Sequence, residues 1–176
     1  MGHFHYATDG FEDNSDSRRE VFNAFVQADL NSRASVQAEA RSADAARGIT
    51  FFANDPTYSF PIRFNEHLSN YRVGARVELS IESELLASFS HMRKFATTPP
   101  VGFDPDTAFI SKWDVSELQY VWDASVFNLI SGGTRFLGKT RSTDGTVDQR
   151  LEHTLVYAYA QPQIPTANLA LTLAGC

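Results

Sequence analysis

Apolar and polar residues alternate along much of the chain, and this period of two predicts β-strands. The cleanest alternation is RVELSIESEL (residues 76–85), where Val77, Leu79, Ile81 and Leu85 fall on one side of the predicted strand. The sequence TDGT at residues 143–146 predicts a hairpin, because Asp-Gly supplies the positive φ that tight hairpin turns need. Further strands are predicted over about 117–130, 134–141, 148–160 and 166–173.

The N-terminal part has a different spacing. The sequence Ser-Arg-Arg-Glu at residues 17–20 fits a capping box, and Val21, Phe22, Phe25, Val26 and Leu30 come after it at helical spacing. An amphipathic helix is therefore predicted over residues 17–30, after a flexible polar arm over residues 1–16. Residues 33–47 stay open between helix and strand, because their alanine content favours a helix and their alternation favours a strand.

Length and charge limit the classes of protein. The chain has 176 residues and a net charge of −6, which suits one folded domain over residues 17–176. Its basic residues are scattered, the longest run being Arg18–Arg19, which argues against nucleic acid or an anionic membrane as a partner. The N-terminus lacks a secretory signal, no segment approaches 18 apolar residues, and the single cysteine is Cys176. A cytoplasmic protein is expected.

One glycine-rich stretch matches a phosphate-binding pattern. Residues 133–140, GTRFLGKT, fit G-x-x-x-x-G-K-[ST] letter for letter. A phosphate loop needs a strand before it and an apolar helix after it, but residues 141–153 consist of polar turn residues and strand alternation. The glycines are therefore interpreted as the corner between two strands.

Candidate chemistry lies on the predicted late strands. His153, Tyr157 and Tyr159 share one face of the strand over 148–160, so a histidine and two phenols among apolar neighbours form a possible acid–base group. The alternative for His153 is a hydrogen-bonded polar residue near the rim of a barrel. Tyr120 and Trp122 are the predicted substrate-binding aromatics. The five histidines lack the spacing of zinc ligands, so neither a metal nor a cofactor is predicted.

Residues 129–140 (LISGGTRFLGKT) resemble the "ITGGTGxFxGAxG" segment of the allene oxide cyclase-like β-barrel superfamily, which includes the dirigent proteins. The resemblance extends loosely over residues 126–160, and Arg135 and Thr140 depart from the family pattern. It implies an antiparallel β-barrel, allene oxide cyclase-like or calycin-like, that is often oligomeric and encloses a hydrophobic molecule. No catalytic residue of the family can be placed on this chain.

These observations lead to one function and two alternatives. The expected protein is a mainly β, antiparallel barrel with an N-terminal helix, acting as a cofactor-free cyclase or isomerase on a hydrophobic small molecule. His153 and Tyr157 are its candidate catalytic residues, and Tyr120, Trp122 and Tyr159 its candidate substrate-binding residues. The alternatives are a structural β-sandwich subunit of a viral or phage particle and a non-catalytic lipocalin-like carrier. A homo-oligomer fits each of them.

Overall fold

The fold is described by a computed structural model that covers residues 1–11, 14–50, 61–97, 107–124, 127–164, 167–168 and 171–175. Cys176 and parts of the predicted final strand lie outside these residues. Within them the chain forms long β-strands that run antiparallel and succeed one another in sequence order. The strands are β1 (Gly2–Thr8), β2 (Ser17–Asn31), β3 (Ala34–Thr50), β4 (Pro61–Ser80), β5 (Ser83–Thr97), β6 (Ala108–Ala124), β7 (Phe127–Ser142), β8 (Asp148–Ile164), β9 (Ala167–Asn168) and β10 (Leu171–Gly175).

Each strand from β1 to β8 pairs with the next, and β9 and β10 both pair with β8. The predicted antiparallel β class is therefore confirmed. Closure into a barrel is not observed, because within the described sheet β1 pairs only with β2 and β10 pairs only with β8. No helix that could cross a membrane is present in the part of the chain that the structure describes.

The predicted N-terminal helix is wrong, because residues 17–31 form strand β2. This segment pairs along its length with β3 and over its first half with β1, so strand hydrogen bonds override its helical spacing. The apolar residues that suggested one helix face are divided between the two faces of the sheet. Phe22 and Val26 lie on one face, and Val21 and Phe25 lie on the other.

Three other segments differ from the predictions or complete them. Residues 2–8, expected within a flexible arm, form β1 and pair with β2. Residues 33–47, left open, lie almost entirely in strand β3. The predicted strand over 76–85 is divided by a turn at residues 81–82, because Ser80 pairs with Ser83. Its alternation continues from one strand into the next across this two-residue turn.

The glycine pair at residues 132–133 lies within strand β7, so the predicted corner there is also wrong. A Cβ on Gly132 would lie 2.7 Å from the Leu118 backbone oxygen and 2.8 Å from the Tyr157 hydroxyl. The glycine therefore gives space to the ring of Tyr157 from the neighbouring strand. The predicted hairpin is confirmed at residues 143–146, where Gly145 has φ of 78°.

The connections between the strands alternate in length. Two residues separate β2 from β3, β4 from β5, and β6 from β7, whereas five to ten residues separate the strands at the opposite ends. The two-residue connections all lie at the same end of the sheet, because consecutive strands are antiparallel. This end is called the short-turn end below.

The sheet that the structure describes is a single layer without a hydrophobic core. The buried apolar side chains among the described residues are those of four alanines, Ala43, Ala96, Ala108 and Ala124. The accessible surface of the chain is 12385 Å², against roughly 8,600 Å² expected for a compact domain of the same mass. Because a stable sheet must cover at least one apolar face, something outside the described sheet is needed to cover it.

Candidate functional site

The pairing register sorts the side chains of the sheet onto two faces, because directly paired residues point to the same side. Near the short-turn end, one face consists mainly of apolar side chains on every strand from β2 to β8. This surface is called the apolar band. Its large members are Phe22, Val26, Val36, Tyr71, Val73, Val77, Leu79, Leu85, Phe89, Leu118, Tyr120, Trp122, Phe127, Leu129 and Val156, with alanines between them.

The height of the apolar band is set by its longest run, from Tyr71 to Leu79 on β4. Eight residue steps span about 27 Å along a strand. For strands tilted by about 40° from the axis along which the height is measured, this length corresponds to a height of about 20 Å. Aromatic side chains lie toward both limits of the band. Tyr71 and Phe89 lie at the limit toward the long connections, and Trp122 packs edge-on against Phe127 at the short-turn end, with ring centroids 5.9 Å apart.

The opposite face, called the polar face, carries hydrogen-bonded polar groups at the same level of the sheet. Arg76 donates to Glu84 at 2.5 Å, and the Ser90 hydroxyl donates to Asn70 at 3.0 Å. The Tyr157 hydroxyl donates to Glu117 at 3.1 Å and accepts from the Gln119 amide at 3.3 Å. Each of these groups finds its partner on another residue of the same face.

The polar face is concave. One cavity of about 290 Å³ is lined by polar side chains from β2 through β6, although a flat sheet would place these two strands about 19 Å apart. Together with the half-burial of Glu117 and Gln119, against 52% exposure of Leu118 between them, this cavity indicates that the sheet curves toward its polar side. The polar residues that line this cavity include Gln27, Gln37, Arg72, Arg76, Glu117 and Gln119.

Exposure is consequently opposite to that of a water-soluble sheet. On the apolar face, Phe89 is 44% exposed and Leu118 is 52% exposed. Their neighbours on the polar face, Ser88, Glu117 and Gln119, are half-buried. Soluble proteins rarely expose a continuous apolar surface of this extent, and such a surface marks contact with a membrane, a ligand or another protein.

The apolar face also contains an open groove of about 570 Å³. Val26, Val36, Val73 and Phe89 contribute its larger apolar side chains, and alanines form much of its floor. The groove lies within the apolar band.

Beyond the apolar band, toward the long connections, the same face becomes charged. His67 and Asp44 are 2.7 Å apart, as are His91 and Asp114, and Arg135 donates to Glu152 at 2.7 Å. The hydrogen bond from Arg135 and its positive charge lower the pKa of Glu152 below its ordinary value. These exposed polar contacts and the apolar band divide this face into two zones along the strands.

The five residues predicted for a site lie on both faces. Tyr120 and Trp122 belong to the apolar band, whereas His153, Tyr157 and Tyr159 point to the polar side. A pocket on one face of the sheet therefore cannot include both groups.

The two candidate catalytic residues are also separated. His153 and Tyr157 are four residues apart on β8, or about 13 Å along the strand, and His153 is exposed. Tyr159 donates to Gln161 rather than to either of them.

The polar contacts of Tyr157 were not predicted. Glu117 and Gln119 lie 40 and 38 residues away along the chain, so no local pattern indicates this cluster. No group of three or more histidine, cysteine or acidic side chains is placed to hold a metal ion within the described ranges.

Comparison with protein-family models, with curated proteins and with solved structures finds no significant match to this chain.

Proposed function

We propose that this chain forms a membrane-spanning antiparallel sheet whose apolar band contacts lipid and whose polar face borders water. The observation that supports the proposal is the reversed exposure: the apolar side chains lie on the outer, more accessible face, and the polar side chains lie on the concave face. In water this arrangement leaves the apolar band uncovered. In a bilayer the hydrocarbon covers it.

The dimensions of the sheet agree with this environment. A membrane-spanning strand needs about 9–11 residues when tilted, and the apolar band reaches nine residues on β4, from Tyr71 to Leu79. Short connections at one end and longer connections at the other are the usual arrangement of sheets that cross a bilayer. The charged zone beyond the band then lies in the headgroup region and the water next to it.

The backbone meets much of the main requirement of such a location, because antiparallel pairing satisfies the polar groups that neighbouring strands from β2 to β8 turn toward each other. β1 covers only Ser17–Asn23 of β2, and β10 covers only Val156–Ala160 of β8. In hydrocarbon the rest of these two edges and the free sides of β1 and β10 must also be paired. Closure of the sheet on itself, as in the barrel expected from the sequence, satisfies them within one molecule. Pairing with a second chain makes an oligomer, which cross-linking in membranes distinguishes from closure.

The two tryptophans provide the test, because they lie on opposite faces. Trp122 belongs to the apolar band, and Trp113 faces the polar side, where it packs over Gly138. Trp113→Phe and Trp122→Phe each leave one tryptophan. We expect that, after insertion into vesicles, lipids brominated on their acyl chains quench Trp122 strongly and Trp113 weakly.

Two outcomes contradict the proposal. One is a wild-type protein that stays folded in buffer and does not enter phosphatidylcholine vesicles. The other is equal quenching of the two tryptophans by the brominated lipid. Circular dichroism of both variants provides the folding control, since a loss of the β signal would make equal quenching trivial.

The cofactor-free cyclase or isomerase expected from the sequence is the second candidate function. The apolar groove of about 570 Å³ supports it, because that volume suits a small hydrophobic ligand. A lipocalin-like carrier and a particle subunit are supported by the same exposed face, covered by a ligand or by another subunit. Each of these alternatives expects a protein in the cytoplasmic fraction without membrane contact, so fractionation and sedimentation separate them from the membrane proposal.

A further inference from the structure

A row of four basic residues crosses four neighbouring strands on the face that carries the apolar band. Arg93 on β5 pairs with Lys112 on β6, Lys112 pairs with Lys139 on β7, and Lys139 pairs with Arg150 on β8. This row is called the basic ladder. Directly paired residues on adjacent strands have Cα atoms about 4.5–5.5 Å apart, so four positive charges stand side by side.

The basic ladder is only partly neutralised within the sheet. Lys139 lies 3.6 Å from Asp148, and Arg150 lies 3.9 Å from Glu152, which also accepts from Arg135. Arg93 and Lys112 are exposed and have no ion pair with any residue that the structure describes. The nearest acid on the strand of Lys112 is Asp114, which is bound to His91.

Such a row needs anions from outside the sheet. Like charges placed directly opposite each other destabilise a β-sheet, and here three successive cross-strand pairs join like charges. The chain as a whole has a net charge of −6, so the concentration of positive charge on this row is local. Arginine and lysine side chains in a cluster bind phosphate groups well.

The position of the ladder identifies the source of the phosphate. Arg93 lies four residues beyond Phe89, at the limit of the apolar band, which is about 13 Å along the strand. Tilted by about 40°, this distance becomes about 10 Å along the membrane normal, and lipid headgroups occupy about 5–8 Å outside the hydrocarbon. Long basic side chains can bend back over such a distance to reach the headgroups.

We propose that the basic ladder binds the phosphate groups of anionic lipids in the leaflet next to the long connections. This inference rests on the proposed membrane location. It adds a lipid site that contacts headgroups, centred on Arg93 and Lys112, whose charges have no ion pair among the described residues.

The test compares two double variants that remove the same charge from opposite faces. Arg93→Gln with Lys112→Gln removes the unpaired half of the ladder. Arg41→Gln with Arg72→Gln removes two positive charges from the polar face and is the matched control. Each protein is held in a neutral detergent and titrated with short-chain phosphatidylglycerol, with the heat of binding as the readout.

We expect the ladder variant to bind the lipid about 30-fold more weakly, since each basic residue near an anionic surface strengthens binding about fivefold. The affinity of the control variant for phosphatidylglycerol should stay within about twofold of that of the wild type. Equal weakening in the two variants, or no weakening in the ladder variant, overturns the proposal. The single Lys112→Gln variant is the smaller change, chosen to preserve folding. It should also lower the affinity for phosphatidylglycerol, by less than the double variant.

Two further experiments test the assignment to lipid and the membrane location separately. Inorganic phosphate is titrated at the same ionic strength, and binding as tight as that of phosphatidylglycerol would overturn the assignment to lipid. Insertion of the wild type into pure phosphatidylcholine vesicles tests the membrane location without any anionic lipid. A protein that enters those vesicles but shows no difference between the variants disproves the ladder site alone.

Discussion

Replacement of Val36 by arginine places a charge near the centre of the apolar band on β3. Val36 pairs with Ala28 on β2 and with Ala75 on β4, and Ala75 is the middle residue of the run from Tyr71 to Leu79. The small neighbours leave space for the new side chain, so steric overlap contributes little. The change therefore tests what surrounds this face of the sheet.

The expected magnitude depends on the surroundings. An arginine on the lipid-facing side near the middle of a bilayer costs about 2–4 kcal/mol of folding free energy. That corresponds to a decrease of roughly 30- to 800-fold in the ratio of folded to unfolded protein. If water covers the face, Val36 is a surface position with 38% exposure, and the same substitution changes stability by about 0.5 kcal/mol or less.

Gln37→Arg is the matched control, because residue 37 is adjacent on the same strand and points to the polar face. Its side chain borders the 290 Å³ polar cavity, where a charged group meets water and other polar groups. We expect Gln37→Arg to stay within about 1 kcal/mol of the wild type. The comparison keeps the introduced residue and the strand constant and changes only the face.

The assay is reversible unfolding in urea of protein inserted into phosphatidylcholine vesicles, followed by tryptophan fluorescence in both directions. The difference in unfolding free energy between Val36→Arg and Gln37→Arg is the measured quantity. Equal stability of the two variants within about 0.5 kcal/mol would refute the assignment of the apolar band to lipid. If Gln37→Arg lost more unfolding free energy than Val36→Arg, the assignment would be refuted more strongly, since the polar face would then be the one in contact with lipid.

Two further predictions concern the strands and the turn outside this comparison. Gly132→Ala should destabilise the sheet by about 1–3 kcal/mol, because the added Cβ would overlap the Leu118 backbone and the Tyr157 ring. Gly133→Ala is the control and should cost less, since the nearest atom to its added Cβ lies 3.4 Å away. The same urea titration compares the two variants, and equal losses of unfolding free energy would contradict the packing argument. Hydrogen bonds from Ser142 and then from the residue 146 backbone lower the pKa of Asp144 below its ordinary 3.8. The stabilisation of the hairpin by Asp144 is therefore present above pH 3.8 and is lost as the pH falls through the lower folded-state pKa. Asp144→Asn should remove this pH dependence of amide exchange in the hairpin, and an acid profile unchanged by the substitution would contradict the prediction.

The sequence predicted the class of secondary structure well where alternation was supported by turn chemistry. The hairpin at residues 143–146 was confirmed because Asp-Gly favours one local geometry, which needs no distant contact. The strand over 148–160 was also recovered, within β8. Boundaries were less predictable, since the alternation of residues 76–85 continues across the turn at residues 81–82.

The N-terminal segment shows why local patterns can fail. Apolar residues at Phe22, Phe25 and Val26 match one face of a helix, yet in strand β2 they are divided between two faces. Both arrangements are compatible with the residues themselves. Pairing with β1 and β3 supplies the hydrogen bonds that decide between them, and those partners are set by the whole sheet.

The candidate site was the least predictable part. Tyr120 and Trp122 were expected to lie with His153 and Tyr157, but the strand register places the two groups on opposite faces. The basic residues looked scattered along the sequence because the members of the ladder are 11 to 27 residues apart, as the numbers 93, 112, 139 and 150 show. Only the register brings them into one row.

Over residues 76–85 and in most of the chain after residue 117, the sequence by itself determined the antiparallel β class, because a period of two is a local property of the residues. Tertiary structure alone decided which side is concave, where each strand ends and which charges stand together. Curvature and register arise from the packing and pairing of all strands at once, so no single segment encodes them. The curvature of the whole sheet makes the apolar side the outer side, and the proposed membrane function depends on this orientation.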